Sequence, residues 1–360
     1  MNVKELLKKY SKPENFINRD LSWVEFNKRV LEEALNPELP LLEKIKFISI
    51  FCSNLDEFYM IRISGIKEQI AANVEEPSID GLTPIEQLRK IEKTLKPLLK
   101  NLDNYWMDYI IPALKENNIK LLSIEDISED DKAKLTEYFK KEVYPVLTPL
   151  AFDPGRPFPY ISNLSLSLAI LIRKPNGENH FARVKVPSIL PRLLQVDNII
   201  EPKKTPGVNG NFSATFIWLG DLIKANLHLL FPGMEIVEAH RFRITRDTDI
   251  ELQEDEADDL LRVIEENIKQ RRFGSVVRLE VGHPVPDFML DTLIDNLQIT
   301  KDDGHVSDGP LGLSDVMGLF KLPLHQLKEK PYYPITPKVF EEEEDLFSII
   351  RQKDILLHHP

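Results

Sequence analysis

LLEKIKFISIFCSNLDEFYMIRISGIKEQI, residues Leu41 to Ile70, carries apolar side chains at Leu41, Ile45, Ile48, Leu55 and Phe58. Steps of three and four residues predict a helix buried along one stripe. Pro40 before it suits the first helical position. The middle holds Ser53, Asn54, Asp56 and Glu57, where a plain structural helix would stay apolar. Ser and Asn compete with the helix backbone for hydrogen bonds and favour caps and turns. At about 100° per residue Asn54, Phe58 and Ile61 share one face, with Glu57 and Arg62 at its edges. An amide, a carboxylate, a guanidinium and two apolar groups can hold a flat polar ring. The alternative is a satisfied buried network joining helices, or a local break in the helix.

The residues before this helix supply its first packing partner. Asp20 or Ser22 can cap a helix carrying Trp23, Phe26, Val30 and Leu31, which ends at Asn36 and Pro37. After a turn-rich loop with Pro77, Gly81 and Pro84, Thr83 caps a third helix reaching about Ile111, with Pro97 expected to kink it. Residues 1 to 112 therefore read as a helical amino-terminal domain.

From 113 to 320 the texture changes to mixed α+β, the expected second domain. Ser128 caps a helix whose first turn is acidic, which suits its dipole. Leu164 to Ile172 alternates yet is apolar on both faces, as a strand covered on both sides should be. Phe181 to Val186, Ile236 to Thr245 and Ser275 to Val281 are further strands. Asp221 to Phe231, Asp255 to Arg272 and Pro284 to Leu297 are helices. Residues 321 to 360 read as a linker with four prolines in KLPLHQLKEKPYYPITPKVF, then a new element. Ile355 to Leu357 reads there as a buried strand, so the chain is expected to continue beyond Pro360.

At 360 residues the chain suits two domains. Cys52 is the sole cysteine, which excludes a disulfide framework and fits a reducing cytoplasm. No apolar run approaches the roughly 20 residues of a membrane helix, and the start lacks the pattern of a secretion signal. A cytoplasmic place is expected, with peripheral attachment at the inner membrane left open. Net charge is −12. Nucleic acid is not expected as a partner, and a groove for any long polyanion must be local or lie elsewhere.

The usual phosphate signatures fail. No GxxxxGK[ST] occurs, and HRFRITRDTD (His240 to Asp249) lacks the spaced Asn of a kinase catalytic loop. Asp247, Asp249 and Glu251 begin like a calcium loop, but Leu252 stands where Gly is required. His228, His240, His283 and His305 have no metal-ligand spacing and read as surface or capping residues. Arg241 and Arg243 fall on one face of a strand, with Lys269, Arg271, Arg272 and Arg278 following. They could line a phosphate path, a solvated sheet edge or a subunit contact; contact with polyphosphate stays undecided.

RDLSWVEFNKRVLEEA (Arg19 to Ala34) followed by SNLDEFYMIR (Ser53 to Arg62) resembles the amino-terminal signature of bacterial polyphosphate kinases of the phosphohistidine type. LTPLAFDPGRPFPYISNLSLSLAI, RFRITRDTDIELQEDEADDLL and RRFGSVVRLEV are similar to the family's head domain, with Arg156 where a His is usual. PYYPITP and DILLHHP resemble the lead into a phospholipase-D-like catalytic domain. The resemblance implies reversible transfer of the ATP γ-phosphate to polyphosphate through a phosphohistidine lying beyond residue 360, with magnesium held outside this chain. It implies ATP contact at Asn54 and a homodimer through the head; Glu57, Phe58 and Arg62, from the helix face read above, are the candidate supporting residues. His358 and His359 do not match the phosphorylated histidine. The alternative is a non-catalytic nucleotide-binding or dimerisation scaffold.

Overall fold

The computed structural model describes residues 9–152, 158–200, 212–248, 274–340 and 345–357. Helix α1 spans Arg19–Leu35. Its cap is Asn18, not Asp20 or Ser22: the Asn18 carboxamide oxygen accepts from the amides of Asp20 and Leu21 at 3.0 and 2.9 Å. Asp20 is buried instead and takes side-chain donors from other helices, described below. Helix α2 spans Leu41–Phe58, and Pro40 stands at its N-cap in extended conformation rather than at the first helical position.

Beyond the polar patch the helix continues with a change of pitch. Tyr59–Ile63 form a π-helical turn and α3, Ser64–Ala71, resumes the α-helix. The wider turn lets the Met60 carbonyl accept from Ser64 Oγ at 2.8 Å and from the Thr248 amide at 3.2 Å, 188 positions along the chain. Such turns are rare and collect at functional sites. Helix α4, Pro84–Tyr105, starts where the Glu86 carboxylate accepts from the Thr83 amide and hydroxyl at 2.9 and 2.8 Å. A second π turn, Trp106–Ile110, leads into α5, Ile111–Glu116. Val24, Leu31, Ile45, Ile48, Phe51, Leu55, Ile91 and Trp106 form the centre of the helical core.

Strand β1, Ile119–Leu121, leaves that bundle, and α6, Glu129–Tyr138, follows with Ser128 Oγ accepting from the Asp131 amide. Strands β2 (Pro149–Phe152), β3 (Leu166–Arg173), β4 (Asn179–Lys185), β5 (Leu193–Gln195) and β6 (Ala214–Trp218) come next. Helix α7 is Leu219–Ala225; the expected single helix to Phe231 breaks at Asn226, where a second short piece, Leu227–Leu230, begins. Strands β7 (Glu235–Arg246) and β8 (Val276–Gly282), helix α8 (Asp287–Leu297) and strand β9 (Gly304–Ser307) complete the α+β part. The expected helix at Asp255 to Arg272 lies outside the described residues.

The strands make a three-stranded sheet, β1–β6–β5, and a six-stranded one, β2–β4–β3–β7–β8–β9. The second is antiparallel except where β8 meets β9. Leu166 to Ile170 of β3 are all buried, as the doubly apolar run predicts. One face carries Leu168, Ile170 and Val184 against α7 and the α6 region, and the other carries Ala169, Phe242 and Leu279 against α8. The β7–β8 register sets Arg243 opposite Glu280.

After the proline-rich stretch, Leu346–Gln352 form helix α9. Ile355 to Leu357 are not the buried strand expected: no strand forms there, and Leu356 is 96% exposed. A short apolar run is a strand only where a neighbour takes its backbone groups, and no described strand lies beside this one. No helix among the described residues is long and apolar enough to cross a membrane.

Candidate functional site

Asn54 is half-buried on α2, facing α1. Its Nδ2 donates to Asn27 Oδ1 at 3.1 Å, and Asn27 Nδ2 donates to the Phe51 carbonyl at 3.1 Å. Among the described residues no donor meets Asn54 Oδ1. The four expected neighbours sort differently. Phe58 is 2% exposed and lies flat on Trp23, centroids 4.1 Å apart, so it is core and closed to a ligand. Glu57 points to solvent, and Ile61 is 38% exposed on the π turn. Arg62 donates to both oxygens of Asp20, at 2.7 and 3.2 Å, and Gln87 of α4 donates to the same carboxylate. Asp20 thereby ties the π turn to α1 and α4, and its hydrogen bond holds the Arg62 pKa above the ordinary value.

The opposite side of α2 meets the head. Arg243 of β7 grips Asp56 with two bonds, 2.8 and 2.5 Å, and donates to Glu280 at 2.7 Å. Arg278 pairs with Glu280 at 3.1 Å and lies over the Tyr59 ring, 4.7 Å from its centroid. All four charges are buried. Burial opposes the charged Arg243, but Glu280 and Asp56 outweigh it and raise its pKa. Burial likewise pushes Glu280 up, and Arg278 then Arg243 override it, so its pKa is lowered. The Arg241 guanidinium meets Asp221 at 3.2 Å. Arg241 and Arg243 thus have carboxylate partners inside the fold, and Lys269, Arg271 and Arg272 lie outside the described residues, as does Arg156.

A cavity of about 40 Å³ sits beside this network, walled by Cys52, Asp56, Asp103, Arg278, His305 and Ser307. It has room for a few waters, at roughly 10–15 Å³ each. Asp103 accepts from Ser307 Oγ and the Asp308 amide, yet burial leaves its pKa raised. Burial, then the Asp56 charge, pushes the Cys52 thiol far up, so it is not a nucleophile at neutral pH. His305, expected at the surface, is half-buried here; burial and then Arg278 push it down to about 4. No three His, Cys, Asp or Glu side chains among the described residues are placed to hold a metal ion.

One residue, Asn27, escaped the sequence reading. It is an amide on the amphipathic helix α1 and is 1% exposed. Asp56 was seen, but its partner lies 187 positions away.

A helical domain docked through buried charge onto a six-stranded α+β head, with one asparagine left addressable between helices, defines a two-domain class of architecture. Residues 16–122 match the family description "Polyphosphate kinase N-terminal domain" and residues 130–319 match "Polyphosphate kinase middle domain"; the chain belongs to the polyphosphate kinase family. It is 47% identical over 355 residues to polyphosphate kinase 1 of Chlorobaculum tepidum, covering 97% of this chain and 50% of that protein. Against the polyphosphate kinase of Prosthecochloris aestuarii identity is 46%, covering 98% of this chain and 49% of that protein. The crystal structure of polyphosphate kinase from Porphyromonas gingivalis superposes with a TM-score of 0.75 at 26% identity, covering 96% of this chain and 47% of that one. The chain spans about half the length of the curated relatives it matches.

Proposed function

We propose that this chain supplies one wall of the nucleotide pocket and the dimerising head of an ATP:polyphosphate phosphotransferase. The phosphate-accepting histidine and the magnesium ligands then lie beyond residue 360, in the half that the relatives possess in addition. The observation that carries the reading is Asn54, an amide fixed by a neighbour on a rigid helix while its oxygen stays unengaged. Adenine offers an amino donor beside a ring-nitrogen acceptor, and one amide meets both. Packing of Leu55 and Phe58 fixes the backbone at this point, so the amide is placed before a base arrives.

The test is Asn54→Ala in the full-length protein. KM for ATP rises on the order of tenfold, the loss of one or two polar contacts. The maximal rate falls less, because the base end of ATP is far from the transferred phosphate. An unchanged ATP affinity with a lower melting temperature removes Asn54 from the site. The homodimer has its own check: light scattering on the full-length protein gives twice the monomer mass at micromolar concentration, and a monomer there ends that part of the reading.

A further inference from the structure

We propose that Asn27 is a positioning residue that sets which way the Asn54 carboxamide faces, and so selects adenine over guanine. The inference rests on the reading of Asn54 given above. An amide has a donor end and an acceptor end, and turning it over exchanges them. Asn27 cannot be turned over. Its Nδ2 meets the Phe51 backbone carbonyl, which only accepts. Its Oδ1 must therefore face Asn54, and Asn54 must answer with its NH2 group. A reversed Asn54 would set two oxygens against each other at Asn27, which is 1% exposed.

The polarity of one backbone carbonyl thus passes through two amides. Asn54 is left with its oxygen and its second N–H for a ligand. An acceptor beside a donor complements the 6-amino group and ring nitrogen of adenine. Guanine presents two acceptors, O6 and N7, on the corresponding edge, and the Asn54 oxygen would oppose O6. Discrimination of this kind is strong when a buried polar group would be left unpaired by the wrong ligand.

The experiment measures Kd for adenosine and guanosine 5′-(β,γ-imido)triphosphates on the full-length protein. Asn27→Leu, which frees Asn54 to turn, lowers the adenine-to-guanine preference roughly tenfold, as one polar contact should. Asn27→Ser, smaller and too short to reach Asn54, does the same and serves if the leucine variant does not fold. Asn27→Asp keeps an acceptor toward Asn54 and retains the preference while melting lower, because the donor to Phe51 is lost. Asn27→Leu combined with Asn54→Ala is no less selective than Asn54→Ala alone, since one residue acts through the other. Loss of melting temperature with full preference in both Asn27→Leu and Asn27→Ser overturns the inference and leaves Asn27 a tie between helices. If Asn54→Ala itself keeps the preference, the reading of Asn54 falls first.

Discussion

Arg243 on β7 and Asp56 on α2 are joined by two parallel hydrogen bonds of 2.8 and 2.5 Å, both residues buried, across the junction of the helical bundle and the six-stranded sheet. The planar guanidinium matches the carboxylate in a way lysine cannot. Asp56 is two residues from Asn54, so the same short segment of α2 is gripped by the head on one side and turns an amide toward α1 on the other.

Removing Arg243 should be severe. Arg243→Met leaves Asp56 buried without its partner and deprives Glu280 of one of two, which costs about 3–5 kcal/mol. Urea unfolding of the purified protein measures it. Because the pair is buried, 1 M salt should change the difference little. A loss below about 1 kcal/mol would mean that Asp56 finds water or another donor.

The stack of Phe58 on Trp23 assigns Phe58 to stability and not to nucleotide contact. Phe58→Ala should destabilise by about 3–5 kcal/mol, as aromatic truncations in cores do. Phe58→Leu should restore most of that loss. ATP affinity of the folded Phe58→Leu protein should stay near wild type, and a tenfold weaker affinity would return Phe58 to the site.

Arg62 makes a similar contrast with Asn54. It is half-exposed but committed to Asp20, whose carboxylate is buried. Arg62→Gln leaves Asp20 with the weaker Gln87 contact and should cost about 1–3 kcal/mol. Its effect on KM for ATP should be smaller than that of Asn54→Ala; a larger one would place the guanidinium on the nucleotide.

The sequence shows local periodicity well and distant pairing poorly, and the residues above divide along that line. The stripe through Ile45, Ile48 and Leu55 gave α2, and the doubly apolar run from Leu166 gave β3, because each signal lies within one element. The π turn at Tyr59 was not legible. It accompanies the Thr248 amide's hydrogen bond to the Met60 carbonyl, a contact that no local propensity encodes. The roles of Arg241 and Arg243 stay open in the sequence for the same reason: their carboxylates, Asp221 and Asp56, are distant along the chain. Helix periodicity alone puts Phe58 on the face of Asn54, since its partner Trp23 sits on another helix. At Ile355 to Leu357 composition suggested a strand, but a strand is a property of two segments.

His305 supplies a pH dependence with a defined sign. It faces Arg278 and Glu280 on β8, Lys96 on α4 and Asp308 just after its own strand β9. Its pKa in the folded protein is about 4, lowered chiefly by burial, against roughly 6.5 in an unfolded chain. The unfolded state therefore binds the proton first as pH falls, and folding loses stability from about pH 6.5 down to about pH 4. The slope for one proton is about 1.4 kcal/mol per pH unit, so the full loss attributable to His305 is about 3 kcal/mol. Glu280, with its pKa lowered, adds a loss of the same sign. Asp103, raised, opposes it. Both carboxylates are common to wild type and variant, so the difference between the two profiles isolates His305. His305→Gln should then flatten the stability profile by close to one proton in that window, while the other seven histidines contribute equally to both proteins. Urea midpoints at pH 6.5, 5.8 and 5.0 for wild type and variant decide it, and parallel profiles would show that water reaches the imidazole.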